Sequence, residues 1–250
     1  MYDIYLNNIT LIKNNRKILS NIEAHFPKNK TTVVIGPSGC GKSTLLKVSA
    51  ALIPVSSGNI LVDNNNLRKM TPQNLLNFRK NSSFVFQDAA LWANQSVYQN
   101  MSLPLRLHYP NMDKKSHDDE IMKMLKLVGY TDSINLIPAA LSNGERKMIS
   151  LARALIISPG LLYLDNPLVL VDPSVAKKMR KLIIDLHNNK TTIVANFSSP
   201  ELIKKIADFL IIMKEGKIVE AGTFDSVMNS NTPETEKIIN SLINHSSKIT

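Results

Sequence analysis

The stretch Gly36-Pro37-Ser38-Gly39-Cys40-Gly41-Lys42-Ser43-Thr44 constrains this chain more than any other. It fits G-x-x-x-x-G-K-[ST] in full. Residues 32–35 (TVVI) before it form a β-branched run that reads as a buried strand. A helical pattern follows from about residue 42 to residue 51 and stops near Pro54. Strand, glycine-rich turn and helix is the context that makes the motif a phosphate cradle. The glycines let the backbone wrap closely, and the free amides at the helix start stabilise negative charge. In that reading Lys42 reaches the β- and γ-phosphates, Ser43 ligates Mg²⁺ and Thr44 lies near the α-phosphate. A glycine turn that merely caps a helix is the bland alternative, which the full motif disfavours. Cys40 occupies a variable position and reads as a small space-filler. It is the only cysteine, so no internal disulfide can form, which agrees with a reducing compartment.

Further strands are expected at residues 83–86, 161–164, 192–195 and 209–213, with helical patterns between them. This alternation implies an α/β fold with a largely parallel sheet covered on both faces. A hairpin turn at residues 214–216 leads to a short strand over 217–220. Strand signals vanish over residues 89–157, which reads as an inserted helical lobe. Within it Asp118, Asp119 and Glu120 are expected to open a helix, the sign favoured at a helix N-terminus. Ile121, Leu125 and Val128 supply its apolar stripe, and Gly129 ends it. Pro233 starts a tail helix with Ile238, Ile239, Leu242 and Ile243 on one side.

A chain of 250 residues, 44% hydrophobic, can build a substantial core. No apolar run reaches membrane-spanning length, and the start lacks the basic-then-apolar order of a secretion signal. A soluble intracellular protein is the expectation. The formal net charge of +10 is read as compositional, because Lys and Asn are abundant throughout. No compact basic run interleaved with aromatics appears, so nucleic acid is not an expected partner.

The cradle alone leaves kinase, GTPase, recombinase and transporter ATPase open. Leu141-Ser142-Asn143-Gly144-Glu145, followed by a helical run, narrows the choice. It resembles the ABC ATPase signature, usually Leu-Ser-Gly-Gly-Gln. Gln87 after Phe84-Val85-Phe86 resembles the Q-loop glutamine. Residues 161–165 (LLYLD) resemble Walker B, and Leu170-Val171-Asp172-Pro173 resembles the D-loop. The resemblance covers nearly the whole chain. It implies a single ABC ATPase domain with a P-loop NTPase fold and an N-terminal β-subdomain. Its core is expected over residues 1–88 and 158–228, its helical lobe over 89–157 and its tail over 229–250. It implies Mg²⁺ held through Ser43, Gln87 and Asp165. It also implies a dimer, of like or unlike chains, with each ATP between one P-loop and residues 142–144 of the neighbour, Asp172 lying close by. Binding closes the dimer, hydrolysis reopens it, and membrane permease subunits take up the motion through the Q-loop and helical lobe. The expected place is peripheral, on the cytoplasmic face of the membrane.

Ser142 and Glu145 also read as a capping box, which needs no nucleotide and is compatible with the signature role. Asn143 stands where the family has glycine. It is expected to preserve the turn, because Asn tolerates left-handed backbone angles. Glu145 adds a negative charge where the family has Gln.

The resemblance breaks at two residues. Walker B should continue Asp-Glu-Pro, and this chain has Asp165-Asn166-Pro167. The missing glutamate is the family's usual base for the attacking water, and an amide has no useful basicity near neutral pH. Ser198, in Phe197-Ser198-Ser199-Pro200-Glu201, aligns with the switch histidine and is too short to replace it. His187 precedes its strand and lies at the wrong end to substitute. ATP binding with slow or absent hydrolysis is therefore expected. Asp88 and Glu145 are the substitute bases to consider. The family's adenine-stacking aromatic is also missing, with Lys13 or a neighbour in its place.

Residues 85–92 (VFQDAALW) and 100–106 (NMSLPLR) are similar to ATPases of Mla/Mce-type lipid transport. That similarity implies a phospholipid or other hydrophobic cargo, with lipid-binding subunits as further partners. The alternatives are a non-hydrolysing ATP-dependent scaffold and a soluble P-loop enzyme of another class, which the signature argues against.

Overall fold

The computed structural model describes residues 2–244, with side chains through residue 241. Two sheets share the molecule. The first is antiparallel, ordered β2 (Arg16–Phe26), β1 (Ile4–Lys13), β4 (Ser57–Val62), β5 (Asn65–Asn66). It is the expected N-terminal β-subdomain. The second is ordered β10 (Lys217–Thr223), β9 (Phe209–Lys214), β3 (Thr31–Ile35), β8 (Thr192–Asn196), β7 (Leu161–Asp165), β6 (Ser82–Val85). All its pairings are parallel except β10 with β9.

The runs TTVVI, LLYLD and TIVAN are buried at every position. Strands covered on both faces read as continuous rather than alternating apolar runs. Side chains still alternate between two cores. Val33, Ile35, Leu162 and Leu164 enter the core shared with the helical lobe. Val34, Leu161 and Tyr163 enter the core under the antiparallel sheet and α1 (Lys42–Ser49). Each such Leu or Ile contributes about 1.5–3 kcal/mol by leaving water. Tyr163 is fully buried, and its hydroxyl donates to the Ser49 carbonyl at 2.9 Å. Burial pushes its phenol well above the usual value, so it remains a neutral donor. That bond satisfies an end carbonyl of α1 and ties the cradle's helix to β7.

Between β5 and β6 lies α2 (Pro72–Lys80). The strand-free stretch holds α3 (Val97–His108), α4 (Lys114–Val128) and α5 (Asn143–Leu155). Asp118–Glu120 do not open α4. It begins at Lys114 under Asp113, whose carboxylate accepts from the Ser116 amide at 3.0 Å. A direct cap outweighs a favourable charge one turn later, and Asp118 instead accepts from the Tyr98 hydroxyl at 2.7 Å. Ile121, Leu125 and Val128 are buried, and Gly129 caps the helix with φ 76°.

After β7 come α6 (Pro173–Asn188), α7 (Pro200–Ile206), α8 (Phe224–Met228) and α9 (Pro233–Asn244). Pro233 starts α9, and Ile238 and Ile239 are buried. The Leu242 and Ile243 side chains, and residues 245–250 of the expected tail, lie outside the described residues. Among the described residues no helix is long and apolar enough to cross a membrane.

Candidate functional site

The turn from β3 into α1 sets the geometry. A Cβ at Gly36 would lie 2.1 Å from the Met213 carbonyl oxygen, so β9 passes too close for any side chain there. Gly41 immediately precedes α1 with φ 107°, a left-handed conformation, and α1 has no side-chain cap. Its first amides are therefore left for a ligand. The Lys42 ammonium donates to the Gly36 and Pro37 carbonyls at 2.8 Å each.

At the ends of β7 and β8, Asp165 pairs in register with Asn196. Asp165 is 2% exposed. Its Oδ1 accepts from the Ser43 hydroxyl at 2.8 Å and from the Asn196 amide at 3.3 Å. Hydroxyl and carboxylate oxygens held together suit a hard divalent cation. Among the described residues no group of three His, Cys, Asp or Glu side chains forms a separate metal cluster.

Ser43 and Asn196 open onto a cavity of about 590 Å³, with Asp165 behind Ser43 rather than in its wall. Gly36, Ser38, Gly39, Gly41, Lys42, Ser43, Thr44, Gln87, Asn166 and Ser198 all line it. Pro37 and Cys40 do not, and Cys40 is buried behind the loop. Lys13 is exposed in the β1–β2 hairpin away from the cavity, and Ile18 on β2 lines it instead. The hairpin's course moves the expected wall residue one strand along. Asn196, Phe197 and Ser241 are lining residues that the sequence reading missed. Asn196 ends β8 opposite Asp165, a pairing that appears only in the register of the folded sheet.

Asn166 has φ 48°, a conformation Asn enters more readily than most residues. Its amide donates to the Asn196 carbonyl at 2.9 Å, and its Oδ1 accepts from the Ser198 hydroxyl at 3.2 Å. Asn166 and Ser198 thus touch each other as a neutral pair. Neither Asp88 nor Glu145 lines the cavity, and no other carboxylate or imidazole does among the described residues. His187 lies at the opposite strand ends, against the Thr31 hydroxyl at 3.0 Å.

Residues 142–145 stand apart from this cavity. Ser142 and Glu145 form the capping box, with the Ser142 hydroxyl accepting from the Glu145 amide at 3.2 Å. The Glu145 carboxylate accepts from the Ser142 amide at 2.7 Å. Hydrogen bonding with Asp132 is the first cause holding the Glu145 carboxyl below its ordinary range, and it raises Asp132 in turn. Asn143 is the first residue of α5 and has no positive φ. The expected left-handed turn is not needed, because right-handed helix starts there. Its amide instead donates to the Leu170 carbonyl, and the Lys147 ammonium donates to the Val169 carbonyl. A Cβ on Gly144 would lie 3.5 Å from Asp172 Oδ2, so the signature turn and the D-loop segment are neighbours.

Arg153 on α5 had no sequence signal of its own. Its guanidinium donates to Asn100 Oδ1 at 3.2 Å and to the Ala89 and Ala90 carbonyls at 3.3 and 2.9 Å. Asn100 in turn donates to the Trp92, Gln95 and Ser96 carbonyls. The loop after Gln87 is therefore held from the signature helix.

Comparison with known proteins agrees with this geometry. Residues 19–169 match the family model described as ABC transporter. The chain is 32% identical over 239 residues to the intermembrane phospholipid transport system ATP-binding protein MlaF of Escherichia coli K12. That alignment covers 95% of this chain and 88% of MlaF. It is 32% identical over 221 residues to the methionine import ATP-binding protein MetN of Mannheimia succiniciproducens, covering 87% of this chain and 62% of MetN. The dimeric ATP-binding cassette MJ0796 bound to ADP and Pi superposes with a TM-score of 0.80 at 23% identity. It covers 88% of this chain and 98% of that one, a likeness of fold. The motifs, the cavity and these relatives agree: the chain belongs to the ABC transporter family, as an ATP-binding subunit.

Proposed function

We propose that this chain binds Mg-ATP at its cradle, closes on a second ATPase subunit, and hydrolyses its own nucleotide slowly if at all. The closed form places each triphosphate between residues 36–44 of one chain and Ser142, Asn143 and Gly144 of the other, with Asp172 beside that contact. The separation of the capping box from the cavity within one chain supports this reading. Ser43, Gln87 and Asp165 would hold Mg²⁺, which would supply charge neutralisation to the triphosphate.

The single observation that carries the proposal is the neutral pair at the cavity wall. Ser198 donates to Asn166 across 3.2 Å, and no carboxylate or imidazole lines the cavity among the described residues. A positioned general base is worth about 10²–10⁴-fold in rate, or roughly 3–5 kcal/mol of barrier. Asn166 orients water but takes no proton from it.

Core residues 1–88 and 158–228 then carry the nucleotide, and lobe 89–157 carries the signature and meets membrane permease subunits. The chain sits peripherally on the cytoplasmic face. The likeness to MlaF supports phospholipid or another hydrophobic cargo, with lipid-binding subunits as further partners. The same neutral pair favours a second reading, an ATP-dependent dimerising scaffold without turnover.

Measuring ATP affinity and phosphate release together, for wild type and Asn166→Glu, tests this. Wild type is expected to bind Mg-ATP with little release, and Asn166→Glu to release phosphate at least tenfold faster. Ordinary turnover by the wild-type homodimer overturns the proposal. Association of the purified chain with membrane and lipid-binding subunits separates the transporter from the scaffold.

A further inference from the structure

Helix α9 is moored at its start and delivered to the nucleotide cavity. Glu220 on β10 accepts from the Ser230 hydroxyl at 2.7 Å and the Thr235 hydroxyl at 2.6 Å, and Thr235 is fully buried. Lys214 at the end of β9 pairs with Glu234. One turn on, Ile239 shares a small apolar pocket with Ile35, Pro200 and Ile203. Ile35 directly precedes Gly36, and Pro200 follows Ser198 by two positions. Ile239 therefore lines one small pocket with a residue adjoining the phosphate loop and one adjoining Ser198. Ser241 then lines the same 590 Å³ cavity as Ser38, Lys42 and Ser198. Its hydroxyl donates to the Ile238 carbonyl at 2.7 Å.

We propose that α9 is a wall of this chain's own nucleotide site, and that position 241 faces the triphosphate, so that its charge sets nucleotide affinity. This rests on the reading of the cavity as the Mg-ATP site. A phosphate oxygen only accepts hydrogen bonds, and a serine hydroxyl supplies a donor by turning away from its helix carbonyl. Because Ile239 shares its pocket with Ile35 and Pro200, which adjoin the two nucleotide-facing segments, filling the site also holds α9 more firmly. Helix α9 thereby registers whether nucleotide is present.

The test uses the full chain with Ser241→Lys and Ser241→Asp, and Mg-ATP affinity measured by calorimetry at low salt. Opposite charges at one position must act with opposite signs if the triphosphate is near. Lysine is expected to tighten and aspartate to weaken Mg-ATP, each by about threefold to tenfold. The difference should collapse at high salt, where an exposed charge is screened. A merely structural role would shift both variants the same way and without salt dependence. Wild-type hydrogen exchange gives a second measure that needs no substitution: the α9 amides through residue 241 should slow on adding Mg-ATP. Wild type binding Mg-ATP while the two variants match it, or shift together, with α9 exchange unchanged, overturns this inference alone. Wild type failing to bind Mg-ATP overturns the nucleotide reading itself.

Discussion

Asn166 is suited to its backbone as well as altered in its chemistry. With φ 48° it occupies a left-handed conformation that Asn tolerates and most residues resist. Glutamate there meets a strain of about 1–2 kcal/mol. Asn166→Glu is therefore expected to lower thermal stability by a few degrees while raising phosphate release, measured by scanning calorimetry alongside turnover. A gain in both would mean that the loop relaxes to a right-handed conformation. That positions 166 and 198 carry neither carboxylate nor imidazole was legible from linear order, because Asn166 follows β7 and Ser198 follows β8. Their contact was not legible. It depends on the parallel register of β7 and β8, which brings together residues 32 positions apart. Ile18 was not legible either: it lines the cavity from β2, across the hairpin from Lys13 at the end of β1.

At the scale of elements, the loop after Gln87 is strained and held. Ala89 and Ala90 both have positive φ, 66° and 46°. Such conformations cost about 1–3 kcal/mol each without glycine and persist only where the surroundings over-determine them. Arg153 does this by donating to both carbonyls from α5. Burial lowers its guanidinium's pKa below the ordinary value, and every hydrogen bond it makes to the protein goes to a neutral acceptor. Ala90→Gly is expected to stabilise the fold by up to about 1 kcal/mol, because glycine adopts the left-handed state without the Cβ penalty. Arg153→Met should instead destabilise it by about 1 kcal/mol, by removing the bonds to the part-buried Ala89 carbonyl and Asn100 Oδ1. It should also speed hydrogen exchange across residues 88–92. The α9 mooring titrates. Hydrogen bonds from Thr235 first, then Ser230, hold the Glu220 carboxyl below its usual value. A depressed folded pKa contributes stability above the unfolded value of about 4.3. That stability is lost as pH falls through the folded one. Protection of the α9 amides, relative to exchange from a free peptide at the same pH, should therefore fall below about pH 4.3 in wild type and show no such step in Glu220→Gln. The helix itself was legible from Pro233 and the isoleucine spacing. Its mooring was not, because Thr235 on α9 meets Glu220 on β10, 15 positions earlier, only once the chain folds back on itself.

For the whole molecule, the cradle and the capped start of α5 lie at separate places in one chain, and neither makes a complete nucleotide site. The order of motifs showed both halves, and only the folded chain shows that they do not meet. If a second subunit completes the site as proposed, the neutral pair Asn166–Ser198 has a consequence for the dimer. A site that hydrolyses slowly would leave nucleotide in place and the dimer closed. Mg-ATP should then hold wild-type dimers together for as long as the nucleotide stays bound, without any hydrolysis-blocking substitution. Ser142→Arg puts a bulky cation in the contact and removes the hydroxyl that caps α5, which costs about 1 kcal/mol. It should abolish ATP-dependent dimerisation while leaving monomer affinity for Mg-ATP within about twofold, since Ser142 is outside the cavity. Lys42→Ala should remove both binding and dimerisation, because its ammonium is the one cationic group lining the cavity among the described residues. Sedimentation of the three proteins with and without Mg-ATP separates these outcomes. If Ser142→Arg dimerised as wild type does, residues 142–144 would have no part in gripping the partner's nucleotide. The contact between subunits would then have to be sought on another face.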